Sequence, residues 1–200
     1  MSRKAQTSSP VHTLIAERWS PYGFDGRSVG ESELRSLFEA ARWAASSFNE
    51  QPWSFIVARR DDSEDFAKAV ACLVEFNQLW AKEAGALVFG CTSTQFERNG
   101  KPNGKAEHDL GLAVGNLSLE ATARGLCVHQ MGGIMPDVVR ETYNIPDHVK
   151  PVTGIAIGYP KPADQLESSL RERDESTRER KSSSDFVFSG SWGNASGIVS

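Results

Sequence analysis

Between Glu31 and Ala45 the apolar positions Leu34, Leu37, Phe38 and Ala41 recur at i, i+3, i+4 and i+7, which predicts a helix with one buried face. Gly30 is an acceptable N-cap, Glu33 stands in the capping-box position, and Ser46 and Ser47 end the helix. The polar turn Phe48 to Pro52 follows, and then Trp53 to Ala58 (WSFIVA) reads as a strand. A second helical stretch is predicted from Asp62 to Glu83, with Phe66, Val70, Leu73, Asn77 and Trp80 on one face. Ala86 to Cys91 (ALVFGC) predicts a short buried strand. Thr92 to Ala106 carries Gly100, Pro102, Asn103 and Gly104 and is a loop, of a length that is often functional. Glu107 to Arg124 predicts a third helix on Leu110, Ala113, Val114, Leu117 and Ala121, with Gly125 as its stop. Leu126 to His129 is a short strand, Gln130 to Ile134 a tight turn, Pro136 to Tyr143 a small helix with Pro at its first position, and Val152 to Gly158 a strand. Before these, residues 1 to 13 read as loose chain, and Leu14 to Trp19 as one or two helical turns ahead of Pro21, Gly23 and Gly26.

The pattern changes near the end. From Lys161 to Lys181, 12 of 21 residues are charged. Asp185 to Val199 is apolar again but has no helix of its own to pack on. Two readings are open on pattern alone: an arm that packs on a second copy of the chain, or a tail folded back on its own subunit. The whole, at 200 residues, is read as one domain, with residues 161–200 belonging to it.

Charge and composition narrow the function classes. A net charge of -4 argues against general nucleic-acid binding. No apolar run approaches the roughly 20 residues of a membrane span. The basic N-terminus has no apolar stretch behind it, so no secretory signal is read there. Cys72, Cys91 and Cys127 are odd in number, far apart and set in apolar surroundings, which fits a reducing cytoplasm better than a disulfide framework or a zinc site. The chain has no G-x-G-x-x-G, no phosphate loop ending in G-K-[ST], no H-E-x-x-H and no G-x-S-x-G. Its four histidines are scattered, and the pair His108-Asp109 reads as a solvated helix start. No metal site and no catalytic side chain is predicted, which leaves open an enzyme whose cofactor carries the chemistry.

Three separated segments bear on that point: Glu17-Arg18-Trp19-Ser20-Pro21-Tyr22; Ala41 through Ser46-Ser47-Phe48-Asn49-Glu50-Gln51-Pro52-Trp53; and Gly115-Asn116-Leu117 through Gly125 to Gly132-Gly133. Their order and spacing resemble the FMN-dependent nitroreductase family. The tail, Arg178-Glu179-Arg180-Lys181 followed by Phe186-Val187-Phe188 and Gly190-Ser191-Trp192-Gly193, is similar to that family's C-terminus. The resemblance implies an α+β fold with a central antiparallel sheet flanked by helices, a homodimer, and a C-terminal arm exchanged with the partner subunit. It makes residues 14–160 the flavin domain. It implies FMN held by Arg18 and Ser20 at the phosphate and ribityl chain, with Arg178 and Arg180 joining at the phosphate. Trp19 and Tyr22 belong to the same segment. Ser46, Ser47 and Asn49 are implied to reach the partner's flavin, Asn77 to meet the pyrimidine end of the ring, and Gly132 and Gly133 to form the turn whose backbone N–H faces flavin N5, with Gln130 and Met131 of the same turn also implied to bind the cofactor.

For each there is a plainer role: a surface ion pair for Arg18, a charge-rich exposed run for Arg178 and Arg180, a helix C-terminus for Ser46 and Ser47. Four positions depart from the family pattern. Tyr22 replaces a frequent cation, Ala45 a frequent proline, Trp80 a lysine of some members and Gly132 a glutamate of some. The implied activity is hydride transfer from NADH or NADPH through the flavin, in ping-pong order, to nitroaromatic, quinone or similar electron-poor acceptors. Trp43, Phe48, Trp80 and the Thr92–Ala106 loop are candidates for the acceptor pocket. The alternatives are a specialised flavin enzyme on the same fold, acting in dehalogenation or metabolite oxidation, and a non-catalytic FMN-binding protein.

Overall fold

The strand segments assemble into one sheet of order β1-β2-β4-β3 in the computed structural model, which describes residues 3–199. The strands are β1 (Trp53–Arg59), β2 (Ala86–Ser93), β3 (Cys127–Met131) and β4 (Val149–Gly158), and every pairing is antiparallel. The helices are α1 (Thr13–Glu17), α2 (Glu31–Arg42), α3 (Ser63–Ala71), α4 (Glu75–Ala81), α5 (Ala106–Ala123), α6 (Pro136–Tyr143) and α7 (Ser168–Glu175). No helix among the described residues is long and apolar enough to cross a membrane.

Alternation along the strands builds two cores, one on each face of the sheet. On one face Leu87, Phe89 and Ala156 pack with Phe66, Leu73, Trp80 and Val139 of the α3, α4 and α6 region. On the other, Val88, Ile155 and Ile157 pack with Leu34 and Leu37 of α2 and Leu110, Val114 and Leu117 of α5. Both central strands are thus buried on both sides, which is why ALVFGC carries no polar position. A register shift between Gly90 and Cys91 bends β2 against β4.

Four sequence expectations change. The helix expected over Asp62–Glu83 is two helices, because Cys72 to Val74 leaves the helical path to pair with the turn after β3. Leu73 bridges Ile134, Val74 N donates to Gly133 O at 3.1 Å and Met135 N to Cys72 O at 2.8 Å. Helix α2 stops at Arg42 rather than Ala45. Gln130 and Met131 belong to β3, paired with Ile155 and Gly154, so the turn begins only at Gly132. The charged run contains the helix α7, whose Asp174 is buried and accepts the backbone N–H groups of Tyr22 and Gly23 at 2.8 and 3.1 Å.

The N-terminal stretch is tied down at two points. Ala5 N donates to Ala16 O at 2.8 Å, and Arg3 O accepts from the Arg178 guanidinium. Residues 1 and 2 of the stretch expected to be loose lie outside the described residues. The three cysteines are free and buried.

Candidate flavin site on the edge strand

Strand β3 is an edge, and the predicted site residues of the first and third segments lie along it. At its start stands a group of arginines. The Arg18 guanidinium donates to Ser20 Oγ at 3.2 Å. Burial and the neighbouring Arg180 hold Arg18 below the usual guanidinium pKa. Arg178 is lowered in the same way, by burial first and then by Arg18, Arg180 and Arg3. Among the described residues none of Arg3, Arg18, Arg178 and Arg180 has a carboxylate ion-pair partner, although ten such pairs occur elsewhere. Like charges gathered in one place repel one another; Arg3 also feels the Asp174 carboxylate, and an anion of high charge density, such as a phosphate monoester, relieves the repulsion among Arg18, Arg178 and Arg180.

The four cations are not equivalent. Arg178 donates to the carbonyls of Arg3, Ala16 (3.1 Å) and Arg18 (2.8 Å). It thereby caps the C-terminal end of α1, where a cation is favoured, and holds the main chain of Arg18. Arg180 is exposed and, among the described residues, donates only to Glu179 O, at 2.6 Å. Trp19 lies beneath the Arg3 guanidinium, 5.3 Å from its ring centre. A cavity of about 890 Å³ adjoins the group through Arg3 and Trp19 and continues past Cys127, Asp174 and Lys161, so it flanks the edge strand without reaching the turn at its far end.

That far end is the Gly132–Gly133 turn. A Cβ at Gly133 would stand 2.4 Å from Asn77 Nδ2 and 2.8 Å from Val74 Cγ2, so a side chain there would have to displace Asn77 or Val74; at Gly132 nothing lies within 4 Å. Asn77, 8% exposed, donates to Gly133 O at 3.0 Å and accepts from Trp80 Nε1 at 3.2 Å. Both ends of its amide are therefore engaged inside the protein, and its side chain fixes the turn. From Cys127 to Gly132 a strand rises about 3.3 Å per residue, so the arginine group and the turn are separated by roughly 16 Å.

Between them the wall is aromatic. His129 Nδ1 lies 2.8 Å from Pro21 O, and its ring sits 4.4 Å from Trp80 and 4.7 Å from Tyr22. Burial lowers the His129 pKa from its ordinary 6.5, against the opposing hydrogen bond with Pro21 O. Tyr22 packs edge-on to Phe76 and Trp80 and thus faces α4. Trp80 is 1% exposed, a core residue, so it is withdrawn from the acceptor-pocket candidates; Trp43 and Phe48, by contrast, are 73% and 75% exposed.

The second segment lies elsewhere. Ser46, Ser47 and Asn49 precede β1, the opposite edge of the sheet. Ile56, Phe89, Gly154 and Met131 form one row across it, and three strand spacings of about 4.8 Å put the two edges roughly 14 Å apart. The segment is held in a strained path. Phe48, Asn49 and Gln51 have φ of 56°, 57° and 51°, in the left-handed region that non-glycine residues adopt reluctantly. Gln51 N donates to Ser46 Oγ at 3.0 Å, and Ser47 N donates to Asp109 Oδ2 at 3.0 Å.

Asp109 is 2% exposed, which corrects the expectation of a solvated helix start. Its position was legible: Asp109, Ala113, Leu117 and Ala121 share one stripe of α5, so an acid on that stripe had to be buried and partnered. Asp174 left no such signal, since its partners are about 150 residues away. The thiols of Cys91 and Cys127 are pushed up to about 11 by burial, which keeps them protonated and inert. No group of three or more His, Cys, Asp or Glu that could hold a metal occurs among the described residues.

Comparison with known proteins bears on the fold and the family. A solved structure described as an oxidoreductase containing FMN superposes with a TM-score of 0.88 and 36% identity, over 94% of this chain and 96% of that one. An uncharacterised 15.4 kDa protein of Mycolicibacterium smegmatis is 32% identical over 148 residues, 70% of this chain and 97% of its own. The NADPH-dependent FMN reductase of Bacillus subtilis is 26% identical over 171 residues, 76% of this chain and 66% of its own. The family profile described as Nitroreductase family matches residues 15–159. With that match over most of its length, and with the family's helix-flanked antiparallel sheet, the chain belongs to the nitroreductase family.

Proposed function

We propose that the protein is an FMN-dependent oxidoreductase that takes hydride from NADH or NADPH and delivers it to a small electron-poor acceptor such as a nitroaromatic or a quinone. The observation that carries this reading is the group of arginines at one end of β3, none of them in a salt bridge to a carboxylate among the described residues, set opposite a turn at the other end where Gly133 packs tightly on Asn77 and Val74. Arg18, Ser20 and Arg180 hold the cofactor's phosphate, and Arg178 positions Arg18 through its backbone. Trp19, Tyr22, Gln130 and Met131 wall the edge strand. Main-chain N–H groups of Gly132 and Gly133 meet the ring, and Asn77 holds that turn in place. Bound there, the flavin supplies the hydride relay, and with donor and acceptor using one face in turn the order is ping-pong. The tight, positively charged seat binds and orients, and no side-chain general acid is required.

The site is completed by a second copy of the chain. Ser46, Ser47 and Asn49 stand across the sheet from the arginine group, too far to meet a ligand on their own β3. Helix α5 carries Gly111, Leu112 and Gly115 together on its outer side, with Leu112 41% exposed, a small-residue and apolar patch suited to a partner helix. The C-terminal segment carries Phe186, Trp192 and Ile198 in the open, Trp192 at 94% exposure. This is the composition of an arm exchanged between subunits.

The deciding experiment is the visible spectrum of the purified protein under anaerobic conditions. A yellow protein bleached by NADH or NADPH, and restored by a nitroaromatic or quinone, is expected. Yellow that neither nicotinamide bleaches points to a binding role. A colourless protein that takes up no added FMN overturns the assignment of Arg18, Ser20 and Arg180 together.

A further inference from the structure

The loop between β2 and α5 closes on itself. Phe96 N donates to Lys101 O and Gly100 N to Phe96 O, each at 2.8 Å, and Gln95 bridges Pro102. Its tip leans on the strained segment before β1. Glu97 N donates to the Glu50 carboxylate, and the rings of Phe48 and Phe96 meet edge to face with centres 6.2 Å apart. Arg98 lies over both rings, its guanidinium carbon 4.3 Å from the centre of Phe48 and 4.9 Å from that of Phe96.

Nothing in the core requires this arrangement. Phe48 is held out in solvent by a left-handed backbone, one residue before Asn49. Among the described residues the Arg98 guanidinium makes no side-chain hydrogen bond and no ion pair, and neither do the ammonium groups of Lys101 and Lys105. A guanidinium over aromatic faces is held in one orientation while its N–H donors point outward from the rim. Such a fork matches a carboxylate and presents a flat apolar surface beside it. Glu97 belongs to the same tip and Glu50 lies against it, so what sets Arg98 apart is its seat on the two rings and not the net charge of the loop.

We infer that Arg98, carried on the Phe48–Phe96 pair, is a specificity-determining residue for the acceptor, selecting aromatic acceptors that bear a carboxylate over their neutral analogues. The inference rests on the dimeric flavin reading above, in which the segment containing Asn49 reaches the flavin held by the partner subunit. Anion recognition by Arg98 then acts on the second half-reaction and leaves reduction of the enzyme untouched.

The test compares 4-nitrobenzoate with 4-nitrobenzamide as acceptors for the flavin-loaded wild type, Arg98→Gln and Arg98→Lys, with reduction by NADH and NADPH followed separately. Arg98→Gln is expected to lower kcat/KM for nitrobenzoate about fivefold, as for one exposed charge pair, with the amide and the rates of reduction changed by less than about twofold. Arg98→Lys, which keeps the charge and loses the fork, recovers part of the loss. Equal loss on both acceptors, no change on either, or loss confined to reduction by NADPH overturns the inference while leaving the oxidoreductase reading intact. A wild type that no nicotinamide reduces overturns that reading and this inference with it.

Discussion

Arg18 and Arg178 carry the same charge to different ends. The Arg18 fork sits in a group of like charges with only the Ser20 hydroxyl as a side-chain acceptor among the described residues, whereas Arg178 is engaged with three main-chain carbonyls. Replacing Arg18 by Gln is expected to weaken FMN binding about tenfold or more, the size of a lost charge-assisted hydrogen bond, in a fluorescence titration. The melting temperature of the flavin-free protein is expected to stay level or rise, because repulsion from Arg180 is relieved. Arg178→Ala is expected to lower that melting temperature by itself, at about 1–3 kcal/mol for the orphaned carbonyls and lost cap. His129 supplies a pH dependence. Its folded pKa lies below the ordinary 6.5, so as pH falls through 6.5 the unfolded state binds the proton first. Stability contributed by neutral His129 is therefore full above that pH and declines below it. A melting series from pH 7.5 to 5.0 is expected to show this decline, and His129→Gln to flatten it.

At the scale of elements, two contacts between segments far apart in sequence set the site's shape. The buried Asp109 carboxylate anchors the strained Ser46–Gln51 path through Ser47 N. In Asp109→Asn that acceptor is weakened and an amide is buried in its place, with an expected loss of about 1–3 kcal/mol in chemical denaturation. The second contact is the seat of Gly133 on Asn77 and Val74. Gly133→Ala forces a methyl into that seat and is expected to cost about 1–3 kcal/mol, while Gly132→Ala, facing open space, leaves the folding midpoint nearly unchanged. A similar loss in both variants would show that the turn, rather than its packing on α4, is what resists substitution.

At the scale of the whole molecule, the features that bear on assembly gather at the C-terminus. The terminal segment folds into a small loop of its own. Ser196 N donates to Val187 O at 2.9 Å, Ser189 N to Asn194 O at 3.0 Å, and Phe188 rests on Trp192. Its large side chains are left in solvent, and both edges of the sheet are unpaired by any further strand among the described residues. Removing residues 183–200 is expected to shift the protein from a dimeric to a monomeric mass in sedimentation or light scattering, and to lower flavin affinity with it. A deletion that stays dimeric would place the subunit contact on α5 alone.

Local pattern determined most of the helices and the presence of all four strands: burial of one face writes a repeat into the chain, and the fully buried β2 shows instead as a continuous apolar run. Short motifs of fixed spacing carried the family, and with it Arg18, Ser20, Asn77 and the Gly132–Gly133 turn as places to look. Tertiary structure alone decided the rest. The break between α3 and α4 exists because Leu73 pairs with Ile134, a partner about sixty residues away that no local pattern records. The engagement of Arg178, the burial of Asp174 and the withdrawal of Trp80 into the core depend likewise on which distant segment arrives at each side chain. The separation of Ser46, Ser47 and Asn49 from the arginine group follows from strand order, since two central strands come between the edges. A sequence states what each residue can do; which groups meet is fixed by the packing of segments that are not neighbours along it.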